Sequence, residues 1–310
     1  MTDIAEYDTL DYDYSKYWEK RLYENLAEKN LLNKIFSNKR GNWFLDVGGS
    51  YGRLTSTYYS QYNNPVILDY SLKTLIKNKA VIVGKYPNTQ LIAANAYKMP
   101  FKENTFDGAL MVRVLHHIED PKTYLKELKR VMGSGSWYIQ EFANKIHIKA
   151  VIRSLLKLNF KNLNKEPYLQ PKITGSEGSK KDYKHIFYNY HPGYITSIFR
   201  KEGFKVKKSH GCSFLRSPFI KKFLGENIML FLEKIMQNTL SWTNLPPSIF
   251  LETKVMKRKE EKQEKLKLED ILACPSCKNN LLFEKNTKAK CTSCSNEYYK
   301  KEGIWDFRIK

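Results

Sequence analysis

Hydrophobic and polar positions follow two alternating rhythms along the first half of the chain. Residues 13–38 place apolar side chains at helical spacing with a polar break near Asn30, predicting a helical N-terminal segment. The apolar run from Trp43 to Val47 predicts a first strand and leads straight into a glycine cluster. Pro65–Leu68, Gln90–Ala94, Phe106–Val112 and Trp137–Phe142 read as further strands. Between them lie two helical patterns. One covers 72–82 behind Ser71 as N-cap; the other opens at Asp120-Pro121, runs through Leu125, Leu128 and Met132 and stops at Gly133. About 100 residues of such alternation predict an α/β doubly wound sheet.

The rhythm breaks at 143–190, a basic and partly helical insertion that ends in the aromatic stretch YKHIFYNYH. His191-Pro192 then opens a helix ending at Gly203, and the strand FKVKK follows. Phe219–Leu240 predicts one or two amphipathic helices, and Ser248–Val255 a final strand of the sheet. Lys257–Asp270 is rich in Lys and Glu and reads as a linker or a solvated helix. At 310 residues the chain has the length of two domains. The expected division is a sheet domain over 1–255, with insertions at 143–190 and 216–243, a charged linker at 256–270 and a small domain at 271–310.

Composition narrows the classes. Hydrophobic residues at 42% and aromatics at 14% exclude a disordered or fibrous chain. No apolar run approaches the ~20 residues of a membrane-spanning helix. The N-terminus, MTDIAEYDTLDYDY, is acidic and polar, unlike a secretory or import signal, so a cytoplasmic location is expected. Lys and Arg number 53 against 32 Asp and Glu, and residues 146–255 hold 19 of the basic side chains against 7 acidic ones. Such a face can meet RNA or the surface of an anionic membrane, or it is a lysine-rich solvated surface. The five cysteines are unevenly placed: Cys212 stands alone and the other four fall within 21 residues. An odd count in a cytoplasmic chain argues against a disulfide framework.

The candidate chemistry begins at Asp46-Val47-Gly48-Gly49-Ser50-Tyr51-Gly52, after a strand and before a helix. Glycines there let the backbone turn tightly and approach a ligand. Asp69 ends the next strand, where a nucleotide site places an acid on the ribose hydroxyls. The spacing fails the dinucleotide fingerprint, because the glycines stand at 48, 49 and 52. An acid two residues before the first glycine suits a ligand bearing an ammonium group better than a diphosphate.

These residues resemble the class I S-adenosylmethionine-dependent methyltransferases, in particular the subgroup like the ubiquinone/menaquinone methyltransferases. The matching pieces are WFLDVGGSYGRL, VILDYS and AANAYKMPFKENTFDGALMVRVLHHIEDP. The resemblance implies a Rossmann-like, mostly parallel sheet of seven strands that holds S-adenosylmethionine. It puts Asp46, Gly48, Gly49 and Gly52 at the methionine end, and Asp69 with Tyr70 at the ribose. Asn95 and Ala96 fall at the adenine, and Arg113 beyond the fourth strand. Two positions depart from the family. Ser50 replaces a middle glycine, and Asn95 replaces an acid whose role its amide oxygen can fill.

The sulfonium already activates the methyl group, so such a protein chiefly aligns an acceptor and takes its proton. Arg113, His116, His117, Glu141 and Asn144 fall at the ends of the fourth and fifth strands. His117 is the candidate base, against the plainer reading that one histidine packs and the other bonds a carbonyl. The Asn/Asp-Pro-Pro-Tyr/Phe element that the family's exocyclic-amine and glutamine-amide methylases carry after the fourth strand is missing here, as is the Pro-Cys pair of covalent cytosine-C5 methylation, so the resemblance does not imply these reactions. Tyr188, Tyr190, His191 and Tyr194 can line an acceptor pocket. FIKKFLGENIMLFLEKIM mixes aliphatic and basic residues as an interfacial helix does, or simply covers its own sheet.

Cys274, Cys277, Cys291 and Cys294 form a C-x2-C-x13-C-x2-C array, the spacing of a four-thiolate structural zinc site. The tail around them resembles the zinc-ribbon activator subunit of tRNA, rRNA and release-factor methyltransferases, which implies an activator carried in cis. A small, hydrophobic acceptor is the favoured expectation. The alternatives are tRNA, rRNA or a translation protein as acceptor, and a cofactor-binding scaffold without turnover.

Overall fold

The computed structural model of the chain describes residues 14–19, 21–170, 187–258 and 267–308. The acidic N-terminus, part of the basic insertion (171–186) and part of the linker (259–266) lie outside them.

Helices α1 (Tyr14–Glu19) and α2 (Leu22–Phe36) form the N-terminal segment. The break between them falls at Arg21, not near Asn30. Asn30 is exposed, and the buried Ala27, Leu31, Leu32 and Ile35 hold α2 continuous across it. Strands β1 (Gly41–Val47), β2 (Tyr62–Asp69), β3 (Gln90–Ala93), β4 (Phe106–Met111) and β5 (Met132–Ala143) pair in parallel in the order β3-β2-β1-β4-β5. Helices α3 (Leu72–Lys85) and α4 (Pro121–Val131) connect them, so both faces are covered and the strands read as apolar runs. Ser71 caps α3 by accepting the Thr74 N–H, and Asp120 caps α4 by accepting from Lys122 and Thr123. Met132, expected in the second helix, instead starts β5.

After β5 come α5 (Ile148–Leu156) and a small antiparallel pair, β6 (Tyr168–Leu169) with β7 (Tyr188–Asn189). Helix α6 (Pro192–Lys201) leads to β8 (Phe204–Cys212); α7 (Pro218–Phe223) and α8 (Glu226–Thr239) follow, and β9 (Ser248–Val255) returns antiparallel between β5 and β8.

The expected seven strands are present, but the sheet is mixed and, among the described residues, contains eleven. The tail forms α9 (Leu268–Ile271) and an antiparallel run of β10 (Leu281–Glu284), β11 (Lys288–Cys291), β12 (Glu297–Lys301) and β13 (Ile304–Asp306). Strand β13 adds in parallel to the free edge of β3, pairing Trp305 with Ile92 and Asp306 with Ala93. An unpaired edge exposes a row of backbone donors and acceptors, and β13 satisfies them. The Phe307 N–H then donates to Ala93 O at 2.8 Å.

Further contacts lock the tail to the segment after β3. The Lys102 N–H donates to Ile271 O at 2.8 Å, and the Ala273 N–H to Pro100 O at 3.0 Å. Lys278 Nζ donates to Glu127 Oε1 at 2.6 Å. Ile271, Leu272, Leu281, Trp305 and Phe307 share one buried cluster with Trp43, Val66, Ile92 and Phe101. Much of the stability of the tail therefore depends on the sheet it extends.

Candidate active site

Because β1, β2 and β4 are parallel, Val47, Asp69 and Met111 end at the same edge of the sheet, and the glycine loop crosses there. Gly48 and Gly52 take positive φ, 72° and 73°. A Cβ on Gly48 would stand 2.4 Å from Val114 Cγ2, so that position requires glycine for space as well as conformation. Ser50 also sits in the left-handed region, at φ 49°. Its N–H donates to Asp69 Oδ2 at 2.9 Å, while the Ser71 N–H donates to Oδ1 at 2.9 Å. The Asp69 carboxylate is thus oriented by two backbone donors, one of them from the loop itself. The departure at Ser50 leaves a working turn.

Asp46 lies beneath this loop, 3% exposed, and accepts the Tyr58 hydroxyl at 2.8 Å. Burial pushes its carboxyl up to about 7, against the opposing pull of the Tyr58 hydrogen bond and Arg53. A Cβ on Gly49 would fall 2.9 Å from the Asp46 carboxyl carbon, so the loop lies directly on the acid.

Asn95 and Ala96 are half-buried after β3. Asn95 Oδ1 accepts the Tyr97 N–H at 2.8 Å, so the amide oxygen expected at the adenine already shapes its own turn. The Ala94 N–H donates to Asp69 O at 3.0 Å, tying this turn to the end of β2. Tyr70 meets the tail, since Arg308 Nη1 donates to Tyr70 O at 3.4 Å.

Arg113 takes φ 62°, and its side chain is directed to α2: Nε donates to Glu28 Oε1 at 2.8 Å. Arg53 Nη2 donates to Glu28 Oε2 at 2.7 Å, and the Arg53 guanidinium lies 3.7 Å from the Trp18 ring centroid. Burial alone would raise the Glu28 pKa, but Arg113 and Arg53 outweigh it and hold the carboxylate below its usual range. Sequence reasoning missed this network. Its only local signal is an acid on the apolar face of α2.

His116 is buried and stacks on Phe187, with ring centroids 4.2 Å apart. Burial, then the neighbouring His117 and Arg113, push its pKa well below the usual histidine value, so it packs as a neutral ring. His117 is half-buried, 4.0 Å from the His116 ring and 5.7 Å from Phe187. Glu141 accepts the Arg113 N–H at 2.9 Å and the Ser248 hydroxyl at 2.5 Å. Asn144 Nδ2 donates to Asn244 O and Pro246 O, both at 2.8 Å. Both tie down strand ends. Tyr190 and Tyr194 stack at 6.2 Å beside Tyr188, and Tyr190 Oη donates to Leu115 O and Ile118 O, next to the histidines.

The cysteine sulfurs converge. Cys274 to Cys294 is 3.5 Å, Cys277 to Cys291 is 3.3 Å and Cys277 to Cys294 is 3.6 Å, with all four within 4.8 Å of one another. A tetrahedron of thiolates ~2.3 Å from zinc places its sulfurs ~3.8 Å apart, so the cluster has the size of such a site.

A methyltransferase-domain family model matches residues 45–139, the stretch from the glycine loop through β5. An uncharacterized protein of Methanocaldococcus jannaschii is 31% identical over 228 residues, covering 72% of this chain and 84% of that protein. The chain belongs to the same family as that protein and carries a class I methyltransferase domain. A demethylmenaquinone methyltransferase of Protochlamydia amoebophila is 25% identical over 160 residues, covering 46% of this chain and 66% of its own length. In fold, the chain is similar to an S-adenosylmethionine-dependent methyltransferase of Thermotoga maritima, with TM-score 0.53, 16% identity and coverage of 80% of this chain and 97% of that one. It is also similar to a chain from the Haloferax volcanii complex that contains the Trm112 methyltransferase activator, with TM-score 0.55, 11% identity and coverage of 83% and 100%.

Proposed function

We propose that the chain transfers a methyl group from S-adenosylmethionine to a small, apolar acceptor. The observation that carries the cofactor assignment is the Asp69 carboxylate held by the loop's own Ser50 N–H at the carboxyl edge of β1 and β2. Asp69 would hold the ribose, with Tyr70 beside it. Gly48, Gly49 and Gly52 would admit the methionine end over Asp46, and Asn95 and Ala96 would border the adenine. The role of Arg113 in this scheme is indirect, through the α2 network. The cofactor supplies an activated methyl group; this chain's residues orient the acceptor, exclude water and take a proton, with His117 as the base. The rings of Phe187, Tyr188, Tyr190 and Tyr194 beside His117 support an apolar acceptor, as does the similarity to the demethylmenaquinone methyltransferase of Protochlamydia amoebophila.

In the same reading, 1–255 is the catalytic domain and 256–270 its linker. Residues 271–310 form a zinc ribbon in which Cys274, Cys277, Cys291 and Cys294 hold the metal. Four thiolates fill a tetrahedron, so the metal supports the fold and leaves no position for substrate. The resemblance of the tail to the zinc-ribbon activator subunit of tRNA, rRNA and release-factor methyltransferases supports a second reading, in which RNA or a translation protein is the acceptor; the fold likeness to a chain from a complex with a methyltransferase activator accords with it. Release of S-adenosylhomocysteine separates them. Under the first reading, detergent-dispersed phenols and quinols stimulate it and bulk tRNA or rRNA does not; stimulation by RNA alone overturns that reading.

Cofactor affinity is expected to depend on pH through Asp46. Below about 7 the free protein keeps this carboxyl protonated, so binding a cation over the loop must release the proton. Affinity therefore rises with pH, by at most about tenfold per unit, and levels above Asp46's pKa. It falls again as the ligand's α-ammonium deprotonates at ~8. Calorimetric titration from acid to neutral pH checks this, and Asp46→Asn should flatten the rise. A wild-type affinity independent of pH over that range contradicts it.

A further inference from the structure

Helices that cover a core bury their apolar side chains, and α8 turns only part of its own inward. It buries Met229, Glu233 and Gln237 and exposes Ile228, Phe231 and Ile235. Glu233 accepts the Ser213 and Phe214 N–H groups at 2.7 and 3.0 Å, and Gln237 Nε2 donates to Ala27 O at 3.3 Å. Glu233 and Gln237 thus fasten α8 to the body beside Met229 and the half-buried Leu230, while Ile228, Phe231 and Ile235 face outward. Helix α5 buries only Ser154 and exposes Ile148, Ile152, Leu155 and Leu156, the last at 81%. Phe219 and Phe223 of α7 are 72% and 66% exposed, their rings 4.8 Å apart.

These elements adjoin. Lys149 Nζ donates to Arg216 O at 3.1 Å, just before α7, and the Ile148 N–H donates to Leu245 O at 2.9 Å, close after the exposed Trp242. They also share one end of the sheet. Ala143 at the end of β5 and Cys212 at the end of β8 both pair with Ser248, so the segments leading to α5 and α7 leave where the glycine loop and Asp69 lie.

We propose that this face docks the protein on an anionic membrane surface, with its acceptor end toward the bilayer. The charge pattern selects this occupant. Lys149, Arg153, Lys157 and Lys161 recur every fourth residue beside Ile148, Ile152 and Leu156, and residues 148–161 contain no acid. Lys222 and Lys234 are exposed on α7 and α8. Aliphatic and aromatic groups flanked by cations enter the boundary between headgroups and acyl chains, while the cations meet lipid phosphates. RNA would satisfy the cations but not the aliphatic side chains, which do not stack on bases. Among the described residues no helix is long and apolar enough to cross a membrane, so the contact lies on the surface. The inference deepens the apolar-acceptor reading and rests on it for its purpose, because a bilayer is the source of such acceptors.

Flotation of the full, zinc-loaded chain with phosphatidylcholine vesicles, with and without phosphatidylglycerol, tests the docking without methyl transfer. Binding to the anionic vesicles should exceed binding to neutral ones by at least about tenfold, and fall by a similar factor in the Leu156→Glu, Phe219→Glu, Phe223→Glu triple variant. These side chains are exposed, so the variant should keep its melting temperature and cofactor affinity. No flotation, or flotation unchanged in the variant, overturns the proposal. So does binding of bulk RNA that displaces the vesicles and ignores the three substitutions, which assigns the face to RNA. Vesicle binding with methylation confined to RNA would keep the docking and refute the acceptor; methylation of apolar compounds without vesicle binding would do the opposite.

Discussion

Replacing Asp69 with Ala is expected to weaken S-adenosylmethionine binding by at least about a hundredfold, while zinc content and fold remain. Hydrogen bonds to a charged group contribute ~1.5–3 kcal/mol each, and two ribose hydroxyls would lose theirs together. The loop loses its fixed point as well, because the Ser50 N–H donates to this carboxylate at 2.9 Å. Helix α3 should survive, since its cap is the Ser71 side chain on the Thr74 N–H. Asp69→Asn keeps one acceptor oxygen and should lose less. Calorimetry with the cofactor and with S-adenosylhomocysteine measures both variants. Wild-type affinity in Asp69→Ala would remove Asp69 from the ribose.

Cys274→Ser is expected to abolish zinc binding and to destabilise the whole protein, not the tail alone. A structural zinc site contributes ~10–16 kcal/mol to the folding of a small domain at neutral pH. Here the metal would brace a unit whose last strand closes the edge of the main sheet. When the tail unfolds, β13 leaves β3, and Ile92, Phe101 and the backbone groups of that edge meet water or another chain. The expected readouts are metal loss, a melting temperature lower by more than about 10 °C and aggregation. Cofactor affinity should fall too, because Asp306 pairs with Ala93 and Arg308 reaches Tyr70, both next to Asp69. Cys212→Ser, far from the cluster in sequence, should keep its zinc. Retention of one zinc per chain in Cys274→Ser would refute the four-cysteine site.

The sequence disclosed what is local. The glycine loop, Asp69 at the end of a strand, the Asp120-Pro121 cap and the paired cysteines each declare themselves within a few residues, because tight turns, caps and chelating pairs are short-range geometry. What it concealed depends on distant pairing. Arg113 reads as a residue beyond the fourth strand, yet its guanidinium goes to Glu28, 85 residues earlier. The tail reads as self-contained because its cysteines are, but its three-residue last strand finds a partner more than 200 residues away. That pairing turns a seven-stranded expectation into eleven strands. Amphipathicity in α8 was legible; that Glu233 and Gln237 turn inward with Met229 was not, because a buried Glu233 depends on donors from Ser213, Phe214 and Tyr23.

The most direct test of the account is to incubate the purified, zinc-loaded protein with methyl-labelled S-adenosylmethionine and an extract of its source cells. The products are then divided into solvent-extractable, small polar, RNA and protein fractions. Label is expected in the solvent-extractable fraction, lost in Asp69→Ala and in a heat-killed control. Label confined to RNA or protein, or none above the control despite bound cofactor, would contradict it.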